Sequence, residues 1–358
     1  MSKTGTATLP LHYGKAPAWL FSRMTMLSRE IVHAIVREFG QNALLEKLSD
    51  PFWFQAFGCV LGFDWHSSGL TTTVTGALKE GLKGIEREIG IFMGGGKGAA
   101  ARKTPEQIRA YADTLSLDPE SLIYASKMSA KVDSTAVQDG YQLYHHVFIF
   151  TSGAEWTVIQ QGMNEGNRMA RRYHWLGSSV KDFVAEPHRA ICCDARNVTL
   201  NMVAQESEEA RQITTVLARE KPEKVVQEIE KIQKLEMTRR HTISNGDIDP
   251  RKICRTLLKS YESQPENFEK LLGVQGVGAK TIRALSLISE IVYGKSPSFR
   301  DPARFSFAHG GKDGTPFPVD ERTYDRTIDV MRRAINSSKI GNQDKLDAVR
   351  KLTLYYRD

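Results

Sequence analysis

No stretch of this 358-residue chain stays apolar for the roughly 18–20 residues a membrane span needs. The opening segment, MSKTGTATLPLHYGKAPAW, lacks the basic-then-apolar order of a signal peptide, which points to a cytoplasmic protein. Cysteine is scarce. Cys59, Cys192, Cys193 and Cys254 form no CxxC pair, which argues against a zinc ribbon and a disulfide framework. The glycine cluster Gly94–Gly98 (GGGKG) lacks the GxxxxGK[ST] order, so P-loop nucleotide hydrolysis is not expected. There is no internal repeat and no acidic excess. The 49 Lys and Arg outnumber the 42 Asp and Glu, for a net charge of +7. A positive balance favours polyanionic partners, because neutralising phosphates releases their counterions.

What is present reads as an ordinary globular chain, 41% hydrophobic and 25% charged, long enough for two domains. The pattern predicts an α+β fold in two parts, a mixed candidate catalytic domain over 1–204 and an all-helical domain over 205–358. In the first part, Gln142–Thr151 (QLYHHVFIFT) is rich in aromatic and β-branched residues. Ser152-Gly153 supplies a turn and Glu155–Gln161 returns, which predicts a hairpin. Ala190–Cys193 and Val198–Val203 are further strand candidates. Helices are expected at Arg29–Phe39, Thr73–Glu88, Pro105–Thr114 and Ser121–Gln138, and a mobile loop at Gly94–Lys103. From Glu208 to Met237 apolar residues recur at three- and four-residue intervals, which predicts two amphipathic helices broken near Pro222.

The most specific pattern is Leu272–Thr281 (LGVQGVGAKT), set between helical periods. Gly276 and Gly278 are expected to allow the positive φ of a tight turn and to keep side chains away from an approaching backbone. The following helix then begins with free N–H groups and a positive dipole end, which suit a phosphate oxygen. Lys280 adds charge. Such a contact grips backbone and reads little sequence. Gly276, Val277, Gly278, Lys280 and Thr281 are therefore the candidate DNA contacts. Arg300 and Arg304 join them from the long segment Lys295–Pro318, where phenylalanines stand beside arginines.

This segment resembles the helix-hairpin-helix motif. With Arg251–Leu258 (RKICRTLL) and Pro318-Val319-Asp320, it looks like the corresponding run of the helix-hairpin-helix DNA glycosylases. That resemblance implies a lysine, here Lys280, that attacks C1′ of a damaged nucleotide, and an assisting aspartate, here Asp320. Residue by residue, Asp320 also reads as the N-cap of an apolar helical run. The whole chain further resembles the domain-of-unknown-function family 763. FGCVLGFDWHSSG (Phe57–Gly69), KVDSTAVQDGYQLYHHVFIF (Lys131–Phe150), IQQGMN (Ile159–Asn164) and ARRYHWL (Ala170–Leu176) carry that likeness.

The first part also concentrates carboxylates and imidazoles: Asp64, His66, Asp133, Asp139, His145, His146, His174, Glu186 and His188. These are the ligand types of hydrolytic metal sites, where the ion activates water and clamps a phosphoryl oxygen. Alternation along a strand sends His145 and His146 to opposite faces, so at most one serves a given site. On one continuous helix Asp133 and Asp139 would stand about 120° apart, and they converge only if the helix ends between them. Asp64 and Asp139 are the expected ligands of a divalent ion, Mg or Mn, since a cation relieves the repulsion of carboxylates brought together. Three functions follow in order: a metal-dependent nuclease with a DNA-gripping domain, a DNA glycosylase or abasic-site lyase using Lys280 and Asp320, and a DNA-binding protein without catalysis.

Overall fold

The computed structural model describes residues 16–63, 68–193, 195–234, 249–303, 329–330, 333–337, 341, 344–345 and 348. Its centre is a five-stranded antiparallel sheet with helices on both faces, an α+β arrangement. The chain first builds one helical layer from α1 (Ala18–Phe39), α2 (Gln41–Ser49), α3 (Pro51–Leu61) and α4 (Gly69–Leu82), followed by the short α5 (Glu86–Ile89). Asp50 explains where α3 begins. Its carboxylate accepts from the N–H groups of Phe52 and Trp53, and Pro51 needs no partner at the first helical position.

Next come the edge strand β1 (Ile91–Lys97), α6 (Ala99–Arg102), α7 (Thr104–Leu115) and α8 (Pro119–Lys131). A π-helical turn over Val132–Ala136 leads into β2 (Val137–Gln138). The sheet is completed by β3 (Gln142–Thr151), β4 (Trp156–Asn164), β5 (Met169–Leu176) and β6 (Ala190–Cys192), in the spatial order β1-β3-β4-β5-β6. A separate short ribbon pairs β2 with β7 (Leu200–Asn201). The rest is helical: α9 (Glu208–Ala218), α10 (Pro222–Gln233), α11 (Pro250–Ser263), α12 (Phe268–Gly273) and α13 (Ala279–Tyr293). No helix among the described residues is long and apolar enough to cross a membrane.

Because both faces of the sheet are covered, side chains alternate between two cores. Met93, Val147, Ile149, Ile159 and Leu176 pack with α1–α4, and Val330, Ala334, Ile335 and Ala348 join that core. Phe92, Phe148, Phe150, Val158, Tyr173, Trp175 and Ile191 pack on the other side with Ile123 and Met128 of α8 and with Leu217, Ile229, Leu257, Leu271, Leu285 and Ile288. The sheet divides the two cores, and chain from before and after residue 204 contributes to each.

The expected hairpin is present, with β3 over the predicted range, and α9 and α10 part before Pro222. Three expectations need correction. Gly94–Lys103 is not a loop. Gly94 to Lys97 pair with Phe148 to His145 at the sheet edge, and α6 follows. Gly95 is required there: at φ +94 a Cβ would lie 2.1 Å from the His146 carbonyl oxygen. Thr73–Glu88 is split by Gly84, with φ +83, into α4 and α5. The helix predicted to reach Gln138 ends at Lys131, where the π-helical turn begins. β5, α2 and α3 were not expected as elements.

Candidate functional site

Three like-residue doublets lie in neighbouring strands: His145-His146 in β3, Gln160-Gln161 in β4 and Arg171-Arg172 in β5. Successive residues of a strand point to opposite faces, so each doublet sends one polar side chain into each core. His145 is paired with Gln161, and Gln161 with Arg172, forming a row on the α1–α4 side. His146 is paired with Gln160, and Gln160 with Tyr173, forming the other row.

In the first row His145 Nε2 lies 2.9 Å from Thr75 Oγ1 of α4. Gln161 meets Thr71 and the Tyr144 hydroxyl, and donates to the Ser68 carbonyl at 2.8 Å. The Arg172 guanidinium is buried over the Phe54 ring, reaches Gln55 Oε1 at 3.3 Å and donates to His174 Nε2 at 2.9 Å. Burial lowers the His145 pKa to about 3, with His146 and Lys97 adding to the effect, so this imidazole is neutral. Burial and then the Arg172 charge hold His174 well below the ordinary value.

The second row carries the carboxylates. Asp133, in the π-helical turn, accepts from Gln160 Nε2 at 2.6 Å and Trp175 Nε1 at 3.0 Å, and its other oxygen meets His188. His146 bridges Ser126 of α8 and Gln160, both at 2.8 Å, and burial lowers its pKa. Asp139 accepts from the Tyr141 N–H at 3.0 Å, Arg171 at 2.9 Å and the Tyr173 hydroxyl at 2.6 Å. Burial raises its pKa, and Arg171 and Tyr173 pull it back. Arg171 also donates to Asp301 at 2.7 Å and lies over the Tyr141 ring. Burial alone would lower its pKa, but Asp139, Tyr173 and Asp301 raise it.

α8 ends before Asp133 and the π-helical turn ends at Ala136, ahead of Asp139, and both carboxylates reach the same face of β5, along Arg171, Tyr173 and Trp175. Each has its own donors there. Asp139, one of the two expected metal ligands, is ion-paired with Arg171. Among the described residues no group of three His, Cys, Asp or Glu side chains could hold a metal ion. Asp64, His66, Arg304 and Asp320 lie outside the described residues. Surface depressions of about 680 Å³ between α6 and α7 and about 280 Å³ beside α9 and α12 are lined by none of the candidates.

α12 and α13 are joined by the turn Val274–Gly278. Asn267 caps α12 by accepting from the Lys270 N–H at 2.9 Å. Val277 closes the turn with an N–H bond to the Val274 carbonyl at 3.1 Å and buries its side chain. Gly276 has φ +95, as the turn requires. Gly278 does not: at φ −139 and ψ −175 it is extended, so the expected positive φ is corrected there. A Cβ on Gly278 would meet nothing nearer than the Gly276 carbonyl oxygen at 4.0 Å, and one on Gly273 would meet nothing within 4 Å. Neither the fold's conformation nor its packing needs glycine at Gly278.

Gly278 occupies the N-cap of α13 without a side-chain cap, so the first N–H groups of that helix keep their donor capacity. Lys280 is exposed there, with no ion pair or hydrogen bond among the described residues. Thr281 is buried, so a contact at Val277 or Thr281 would be made by backbone. α11 lies alongside: Thr256 faces Gly276, and Lys259 donates to Gln275 Oε1 at 3.0 Å. Exposed Arg255 and Arg251 follow one and two turns earlier, four residues apart, on the same side. Arg300 is exposed elsewhere, 3.7 Å from Glu206.

A protein-family model described as "Protein of unknown function (DUF763)" matches residues 5–319. The chain belongs to this family. No curated protein and no solved structure matches it. The likeness carried by the doublet-bearing segments thus falls on the sheet of the DUF763 chain, where those residues are buried.

Sequence reasoning passed over Gln160, Arg171 and Arg172 as site residues, and over Lys131 and Gln138, which touch the hairpin turn. The available signal was the doublets. Two adjacent polar residues of one kind inside an otherwise apolar strand mark a strand buried on both faces.

Proposed function

We propose that this DUF763 chain is a cytoplasmic protein that binds DNA through the α12–α13 hairpin, gripping backbone phosphates without reading sequence. One observation carries the proposal. An exposed turn with glycine at Gly278, which the fold itself does not need, opens onto uncapped helix N–H groups beside the basic stripe Arg251, Arg255 and Lys259. Backbone donors with mobile cations beside them suit a phosphodiester, whose oxygens accept from both. A missing side chain at the turn lets the phosphate approach the N–H groups closely.

Strand cleavage does not enter this proposal. Asp133, Asp139, His145 and His146 are occupied within the sheet.

The test is Gly278→Val against wild type, with a short duplex in an anisotropy titration across salt concentrations. Wild-type affinity is expected to fall linearly on a log–log salt plot, because phosphate contacts release counterions. The variant is expected to keep the wild-type melting temperature and lose affinity by on the order of tenfold or more, about 1.4 kcal/mol per decade. Wild-type affinity in a folded Gly278→Val protein refutes the proposal.

A further inference from the structure

The hairpin turn is held from the sheet side by one short segment. Lys131, the last residue of α8, donates its ammonium to the Val277 carbonyl oxygen. Gln138, at the end of β2, donates to the Ala279 carbonyl at 2.8 Å and accepts from Arg283 Nε of α13 at 2.9 Å. The two carbonyls flank Gly278, the residue at which the proposed phosphate grip opens.

Between these two contacts runs the π-helical turn, and it is fixed deeply. Asp133 is bonded to Gln160, Trp175 and His188 under the sheet. The Ala136 carbonyl accepts from the Met202 N–H at 2.9 Å, and Val137 pairs with Asn201. A π-helical turn is rare and widens the helix by one residue per turn, which changes the direction in which flanking side chains leave it. Here Lys131 directly precedes it and Gln138 follows two residues after it, and these are the two that reach the hairpin. A third contact supports the same alignment: Tyr124 of α8 meets Glu269 of α12 with its hydroxyl and lies under the Lys270 ammonium, 5.1 Å from the ring centroid.

Lys131 is an uncommon choice for a purely structural brace. Its ammonium is half-buried, no carboxylate pairs with it among the described residues, and its partner there is a neutral carbonyl. Burial lowers its pKa. The contact makes structural sense because a carbonyl just ahead of a helix has no place in that helix's own ladder, and a cation satisfies it strongly.

We propose that Lys131 and Gln138 are positioning residues, a clasp that grips the turn on either side of Gly278 and sets the direction of its free N–H groups. The consequence for DNA affinity rests on the DNA-binding reading above. The clasp itself does not.

The experiment uses the full chain with Lys131→Met, Gln138→Leu and the conservative Lys131→Arg, measured two ways. Amide hydrogen exchange over residues 273–281 reports the clasp without any DNA. Anisotropy with a short duplex reports the consequence. In Lys131→Met and Gln138→Leu the turn amides are expected to exchange on the order of tenfold faster or more, while β3–β5 keep wild-type protection. Duplex affinity is expected to fall by about tenfold, with Lys131→Arg restoring much of both effects. If one variant unfolds, the exchange pattern of the other decides. Wild-type exchange across the turn in a folded Met or Leu variant overturns the clasp. Accelerated exchange with no duplex binding by the wild type leaves the clasp standing and removes the DNA-binding reading.

Discussion

The sheet and the hairpin are both rich in residues that read as chemistry, and they hold them in opposite ways. In the sheet, buried Asp139 has three donors and buried Asp133 has three. At the hairpin, Lys280 is exposed and Gly278 is free of conformational need. A polar side chain that the fold has already satisfied is poorly placed to serve a substrate, because its bonds must first be broken. One that the fold leaves open costs nothing to redirect. On the proposed reading, the sheet's polar rows serve stability and the hairpin serves binding.

Emptying one polar row of the sheet should have the largest effect. Asp139→Ala leaves Arg171 buried with only Asp301 as its acidic partner among the described residues. Removing one member of a buried ion pair costs about 3–5 kcal/mol. Urea unfolding is expected to show that loss, with the melting temperature falling in step. A variant that unfolds like wild type but fails in some activity would return Asp139 to the candidate catalytic residues.

Acid should strain the same region. His145, His146 and His174 are kept neutral by burial, His145 with a pKa of about 3. The unfolded chain takes up protons near pH 6.5, so below that pH it binds more protons than the fold does. Stability from these groups is therefore full above about pH 6.5 and is lost as pH falls toward 3. The slope is at most about 1.4 kcal/mol per pH unit for each imidazole. Urea midpoints at several pH values between 7.5 and 4.5 should trace this decline. His145→Gln should flatten part of it, and an unchanged profile in that variant would mean the imidazole titrates normally.

The turn sharpens the comparison from the other side. Gly276→Val forces a β-branched residue to φ +95, a strain of about 1–3 kcal/mol, and should lower the melting temperature. Gly278 lies in extended backbone and carries no such strain, so the two glycines should separate stability from binding. Equal destabilisation by valine at both positions would mean that Gly278 matters to packing after all. The smallest effect is expected at Lys280→Gln. It should leave stability unchanged and reduce the salt slope of duplex binding by about one. Borohydride treatment with abasic DNA should trap no adduct at Lys280, and a trapped adduct would revive the lyase reading.

Local patterns carried much of this structure. The aromatic and β-branched run of β3, the break at Pro222 and the glycine turn after Leu272 are each written in a few consecutive residues, because turn geometry and side-chain alternation act at short range. β5 was missed for a related reason. Its Arg171-Arg172 doublet reads as solvent-facing unless both faces of the strand are known to be covered. Gly94–Gly96 looked like a loop because nothing local shows that the His146 carbonyl comes to sit against Gly95.

The candidate site divides along the same line. The sequence alone determined that His145 and His146 face opposite ways and that a turn with uncapped donors follows α12. Packing in three dimensions decided that Asp139 belongs to Arg171 and Tyr173, 32 and 34 positions away along the chain, and that Asp133 belongs to Gln160, Trp175 and His188. A carboxylate has the same intrinsic chemistry wherever it stands. Its role depends on which donors the packed fold brings within about 3 Å, and those come from strands and loops distant in sequence.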